Sequence, residues 1–138
     1  MNIFAKSVTV MSHIYALGPP VVDIESYLKP KVDKLVMVGF PFSYSKIEKS
    51  FFVRFVNGQE VSKREQRAFI RRDWYLYVRD FCLGLMWGFA AGKSDVFIGI
   101  NNLNALVGLM LRAMRRTKVV VYYTIDYNPT RFSNPILN

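Results

Sequence analysis

The chain contains one histidine, His13, in the stretch "VTVMSHIYALGPP". An imidazole is the side chain best suited to move a proton near neutral pH. This one follows a run of β-branched and apolar residues and precedes a Gly-Pro-Pro turn. A strand-end imidazole bonded to backbone is the plainer alternative. A second candidate base is Asp126 in "VVVYYTIDYNPTRF", a carboxylate just beyond an apolar strand and flanked by Tyr123 and Tyr127. There too a plainer role exists, because acids often cap turns and Asn128-Pro129 is a turn signal. Asn101 and Asn102, in "GINNLNAL", can start a helix whose free N–H groups could hold a hydroxyl or an anion. Arg131 could meet a phosphate, or stand solvated in a loop.

Elements that would position these groups follow from the apolar pattern. "SVTVMSHIY" is expected as a first strand and "KLVMVGF" as a second. Between them, Pro19 and Pro20 open a short helix with Val21, Ile24 and Leu28 on one face. "SFFVRFV", Asn57-Gly58 and "QEV" form a hairpin. The basic cluster "SKREQRAFIRRD" leads into a long helix. Its expected core stripe is Trp74, Tyr75, Val78, Phe81, Cys82, Leu85, Met86 and Phe89, with Leu83, Trp87, Ala90 and Ala91 opposite. A helix apolar all round is either buried or touches something apolar.

"DVFIGI" is a further strand, and the helix after it faces the core with Leu103, Leu106, Val107, Met110, Leu111 and Met114. Arg112, Arg115 and Arg116 suit its C-terminal dipole. The last strand, "KVVVYYTI", is expected to lie buried in mid-sheet. The resulting class is α/β: a Rossmann-like, mostly parallel sheet with helices on both faces and one β-hairpin insertion. Ligands of such sheets bind at the C-terminal strand ends. There Ser12-His13, Asn101-Asn102 and Thr124-Asp126 are expected to converge.

Composition narrows the function. A chain of 138 residues suits one domain that buries about two-thirds of its unfolded surface. With 51% apolar residues, disorder is excluded. A net charge of +9 favours an anionic partner, such as phosphates or an anionic membrane surface, although charge alone does not exclude a merely soluble basic surface. A single cysteine, Cys82, allows no internal disulfide and suits a reducing compartment. The N-terminal "MNIFAKSVTVMSH" has no signal-peptide pattern. The longest uncharged apolar run, "FCLGLMWGFAAG", is too short to cross a bilayer as a helix. GxGxxG, GxxxxGK[ST] and GxSxG motifs are absent, and no Cys/His cluster could hold zinc. No metal site and no resident cofactor are expected.

Taken together, "SHIYALGPPVVDIESYLKPKVDKLVMVGFPFSYSK", "FVNGQEV", "SDVFIGINNLNALVGLMLR" and "VVVYYTIDYNPTRFSN" resemble the N-terminal half of GT-B glycosyltransferases of the group 1, family 4-like type. The resemblance spans nearly the whole chain. "HIYALGP", "GINNLNAL" and "YTIDYNPTRF" are its most specific pieces. It implies that residues 1–138 form one Rossmann-like acceptor-side domain. The C-terminal donor-binding domain, with its Glu-x7-Glu signature, has no counterpart here, so the chain is expected to be a fragment that is inactive alone.

The resemblance places Gly18, in the loop from His13 to Pro19, at the cleft. It places Asn101 and Asn102 near the acceptor and Asp126 at a strand end where an acceptor-side acid or histidine stands. The implied donor substrate is a nucleotide-sugar, and the implied acceptor a sugar or a lipid-linked molecule. The expected location is cytoplasmic or peripheral on the inner membrane face, with no nucleic-acid partner. The alternative is a non-catalytic basic α/β module binding membrane surfaces or anionic ligands.

Overall fold

The computed structural model describes residues 5–14, 21–42, 45–67 and 72–124. Nine elements run in the order β1 (Ser7–Ile14), α1 (Val21–Leu28), β2 (Lys34–Pro41), β3 (Lys49–Val56), β4 (Gln59–Arg67), α2 (Asp73–Ala90), β5 (Ser94–Ile100), α3 (Asn102–Ala113) and β6 (Thr117–Tyr123). They build one six-stranded sheet in the order β4-β3-β2-β1-β5-β6. The four strands from β2 to β6 in that order are mutually parallel. The β3–β4 hairpin adds two antiparallel strands beside β2. Its turn, Asn57-Gly58, has positive φ at both residues, the twist that a two-residue hairpin needs. The fold is therefore the expected Rossmann-like α/β sheet, with the hairpin extending one edge.

Side-chain alternation splits the core between the two sheet faces. On one face Met11, Val36, Val38, Phe40 and Phe97 meet Leu83 and Trp87 of α2 and Val107 and Leu111 of α3. On the other, Val8, Val10, Leu35, Met37 and Ile100 pack with Ile24 and Leu28 of α1.

Three expectations are corrected. The stripe expected to face the core on α2 does so only in part: Phe81 and Leu85 pack against the core, but Trp74, Val78, Met86 and Phe89 are exposed, and Leu76, Asp80, Leu83, Gly84, Trp87 and Gly88 are buried. Glycine explains the difference. A Cβ on Gly84 would crowd Met11 and Val107, and one on Gly88 would collide with Leu111. The two glycines thus let α2 approach the sheet and α3 on the side where apolar bulk alone does not point. On α3, Val107 and Leu111 are buried as expected, but Leu106, Met110 and Met114 are exposed.

β6 is the sheet's edge strand and not a mid-sheet strand. Val119, Val121, Tyr122 and Tyr123 are exposed because the strand has a hydrogen-bonded neighbour on one side only. The second hairpin strand also runs on to Arg67, so much of the basic cluster is a solvated edge strand. There Lys63 pairs with Glu65, and Arg67 with Glu48.

The last carbonyls of α2 meet cations from other elements, which compensates for the absence of a basic residue in its last turn. Arg116 Nη2 donates to Phe89 O at 3.0 Å, and Lys34 Nζ donates to Ala91 O at 2.9 Å. Burial of the Lys34 ammonium, with Arg54 close by, lowers its pKa below the usual lysine range.

Candidate functional site

β1 lies between β2 and β5. The chain leaves β1 through α1 towards β2 on one side, where β3 and β4 follow, and β5 and β6 lie on the other. In sheets of this kind ligands bind where the strand order reverses, which here is at the C-terminal ends of β1 and β5. His13 is near the end of β1, and Asn101 follows β5 directly.

At those strand ends the imidazole is held from both sides. Nδ1 of His13 is 2.9 Å from Asn101 Nδ2 and 3.2 Å from Asn104 Nδ2. Backbone bonds orient both amides independently. Asn101 Oδ1 accepts from the Asn104 N–H, and Asn104 Nδ2 donates to Ile100 O. Each amide thus turns its NH2 towards His13, which makes Nδ1 an acceptor and puts the ring proton on Nε2. Nε2 then donates to Asp80 Oδ2 at 3.2 Å. Asp80 is 1% exposed, and its Oδ1 accepts from Arg79 Nη1 at 2.8 Å. Arg79 Nη2 continues the chain of bonds to Ser50 Oγ at 2.7 Å.

Asn101 is the strained member of this network. Its φ of 87° and ψ of 170° lie in a region that is nearly glycine-only. The strain is maintained by what the residue does: it caps α3 with Oδ1 and holds His13 with Nδ2. Gly99, two residues earlier, is required because a Cβ there would lie 2.6 Å from Ala105 N. The start of α3 is thereby drawn close enough for its asparagines to reach His13.

A cavity of about 150 Å³ opens beside the network, lined by His13, Pro41, Phe42, Asp73, Leu76, Tyr77 and Asp80. Ligand pockets for drug-sized molecules span about 300–1,000 Å³, so this one suits a single ring or functional group of a larger molecule. Its lining carries two carboxylates and a phenol, and Arg79 is turned away towards Ser50. That polarity favours hydroxyl or amine donors over phosphate. Phe42 and Tyr77 also face His13, with ring centroids 5.3 and 6.5 Å away.

Comparison of the chain with known protein families, curated proteins and solved structures found no match.

The structure brings together two of the residues singled out in the sequence, His13 and Asn101. Asn102 sits apart from them and accepts a bond from Tyr122 Oη. Gly18, Asp126 and Arg131 lie outside the described residues. Asp80, Arg79 and Asn104 as the imidazole's supports escaped the sequence reading. The available signal was the pair Arg79-Asp80, the only charges between Trp74 and Ala91, at helical spacing from Leu76, Leu83 and Trp87. Among the described residues no cluster of His, Cys, Asp and Glu could hold a metal ion.

Proposed function

We propose that the chain is the acceptor-binding half of a glycosyltransferase, with the acceptor hydroxyl received in the cavity beside His13 and Asp80. A nucleotide-sugar held by a second domain would supply the sugar. The single observation that carries this reading is the buried His13–Asp80 pair at the sheet's switch point, opening on a pocket whose lining is acidic and aromatic. An acceptor sugar needs an aromatic wall and hydrogen-bond acceptors for its hydroxyls, and Phe42, Tyr77 and Asp73 provide them. A donor pyrophosphate needs cations, and that role falls to the other domain.

In this reading Asp73, exposed at the cavity wall, is the carboxylate that meets the acceptor hydroxyl, because the Asp80 side chain has no exposed surface. The Asp80 carboxylate has about four lone-pair sites, and the bonds from His13 and Arg79 occupy two. With no surface open to substrate, Asp80 is held as the support of the imidazole and of Arg79 rather than as the base. His13 keeps Asp80 in place through Nε2–H, and the two asparagines fix the ring. Asp126 is the second base of the proposal.

Saturation-transfer NMR on the 138-residue chain with a panel of simple glycosides tests the reading. Glycosides should bind, and Tyr77→Ala, at an exposed wall of the cavity, should weaken them without unfolding the protein. Nucleotide-sugars should show no transfer or hydrolysis with this chain alone. Loss of the proximity that a second domain provides forfeits about 7–11 kcal/mol of barrier lowering. Sugar transfer by the isolated chain at ordinary enzyme rates, or glycoside binding unaffected by Tyr77→Ala, would overturn it.

A further inference from the structure

Helix α2 is inside out by the usual pattern of a surface helix. Its two charges after the first turn, Arg79 and Asp80, point inward and pair with each other at 2.8 Å, with side-chain exposures of 9% and 0%. Its outward side carries Trp74, Val78, Met86 and Phe89, the first two 66% and 59% exposed. α3 packs beside α2 on the same sheet face and continues the apolar surface with exposed Leu106, Leu109 and Met110. A monomer rarely leaves so contiguous an apolar surface in water, and such a face marks a binding site.

Charge selects the occupant. Between Arg72 and Arg116 there are three acids. Asp80 is buried, and Asp95 is bonded to Lys118 at the start of β5. The third, Asp73, is exposed in the first turn of α2 beside Arg72 and lines the cavity next to His13. The cations at its margins are exposed: Arg72 just before α2, Lys93 beyond it, and Arg112 and Arg115 at the end of α3. An apolar face with aromatic residues, bordered by four exposed cations against one exposed acid, complements the headgroup layer of an anionic bilayer. A protein partner with a mixed surface would require no such cation-rich border, and a second copy would set these cations against their like. No described helix is long and apolar enough to cross a membrane.

We infer that the α2–α3 face lies in the interface of an anionic lipid bilayer, with Trp74 and its neighbours in the acyl boundary and the four cations among the headgroups. This goes beyond the glycosyltransferase reading and stands without it. If both hold, the acceptor pocket, which also uses α2 residues, sits near the bilayer.

The test is co-sedimentation of the full 138-residue chain with two kinds of vesicle, phosphatidylcholine alone and an equal mixture with phosphatidylglycerol. Binding is expected to the mixed vesicles alone and to weaken with salt, because exposed charge interactions are screened over about 10 Å at 0.1 M. A Val78→Glu/Met86→Glu variant should keep the near-ultraviolet dichroism of the fold and lose more than about tenfold in binding. Trp74 fluorescence should shift to the blue on mixed vesicles, and Trp74→Phe, which leaves the buried Trp87, should abolish the shift. Equal binding to both vesicles, or binding to neither, overturns the inference. So does a dimer in analytical ultracentrifugation that the double variant converts to monomer, since a second copy then covers the face.

Discussion

His13 and Asp80 stand 67 residues apart in sequence, and Nε2 of the first lies 3.2 Å from Oδ2 of the second. The contact joins β1 to α2 across the core-facing side of the sheet. Asp80 accepts on both oxygens, from His13 and from Arg79. Asparagine offers one acceptor oxygen and one donor NH2, so Asp80→Asn sets a donor against a donor and leaves the buried Arg79 charge without its partner. Removing one member of a buried ion pair costs about 3–5 kcal/mol. Urea unfolding should place Asp80→Asn near the lower end of that range, because Arg79 keeps its bond to Ser50. A loss below about 1 kcal/mol, the worth of an exposed pair, would show that solvent reaches this contact.

Asn101 should reverse the ordinary ranking of alanine over glycine. Both Asn101→Ala and Asn101→Gly remove the α3 cap and the bond to His13, at about 1 kcal/mol for the cap. Only alanine keeps a Cβ at φ 87°. Strain of this kind costs about 1–3 kcal/mol. The glycine variant should therefore unfold at higher denaturant than the alanine variant. The opposite order would mean that the β5–α3 junction relaxes to an ordinary backbone conformation in the variants.

Much of the fold was legible because it rests on local patterns. β1 is rich in β-branched and apolar residues, β2 and β5 carry unbroken apolar stretches, and Asn57-Gly58 names its hairpin. Which face of α2 is buried was not legible. Trp74, Val78, Met86 and Phe89 make as good a helical stripe as the true one, and the deciding residues are glycines chosen for close approach. β6 misled for a related reason, since a run of valines and tyrosines looks alike in mid-sheet and at an edge. At the site, His13 and Asn101 could be placed on one sheet edge from topology alone. Asp80 could not, because an acid inside an apolar helix declares itself only once the helix face is known.

The glycine contacts predict a graded series. At Gly99 the obstacle is backbone, Ala105 N at 2.6 Å and Ala105 Cα at 2.7 Å, which cannot yield without shifting α3. At Gly88 it is the Leu111 side chain, and at Gly84 the nearest atom is Met11 Sδ at 3.2 Å, on a flexible side chain. Overpacking of a core costs about 1–3 kcal/mol, occasionally more. Thermal unfolding should rank the losses as Gly99→Ala above Gly88→Ala above Gly84→Ala. Equal losses at Gly99 and Gly84 would refute the close approach of α3 to β5.

Asp95 ties the N-terminal ends of three parallel strands together. Its Oδ2 accepts from the backbone N–H groups of Lys6 and Ser7, each at 3.0 Å, and its Oδ1 accepts from Lys118 Nζ at 2.6 Å. The bond from Lys118 is the main cause that holds its carboxyl below the usual aspartate range, with the Ser7 and Lys6 amides adding to it against partial burial. A carboxylate with a depressed folded-state pKa stabilises the fold above its unfolded value, about 3.9. That contribution is lost as pH falls through the lower, folded value. Asp95→Asn keeps an acceptor for the strand amides and removes the charge, so it should cost about 0.5–1 kcal/mol at pH 7, as expected of a partly exposed pair. The difference from the wild-type chain should shrink steadily below about pH 4. Urea unfolding of both proteins from pH 7 to pH 2.5 measures it. A difference that stays constant over this range would mean that Asp95 contributes through shape and hydrogen bonding alone.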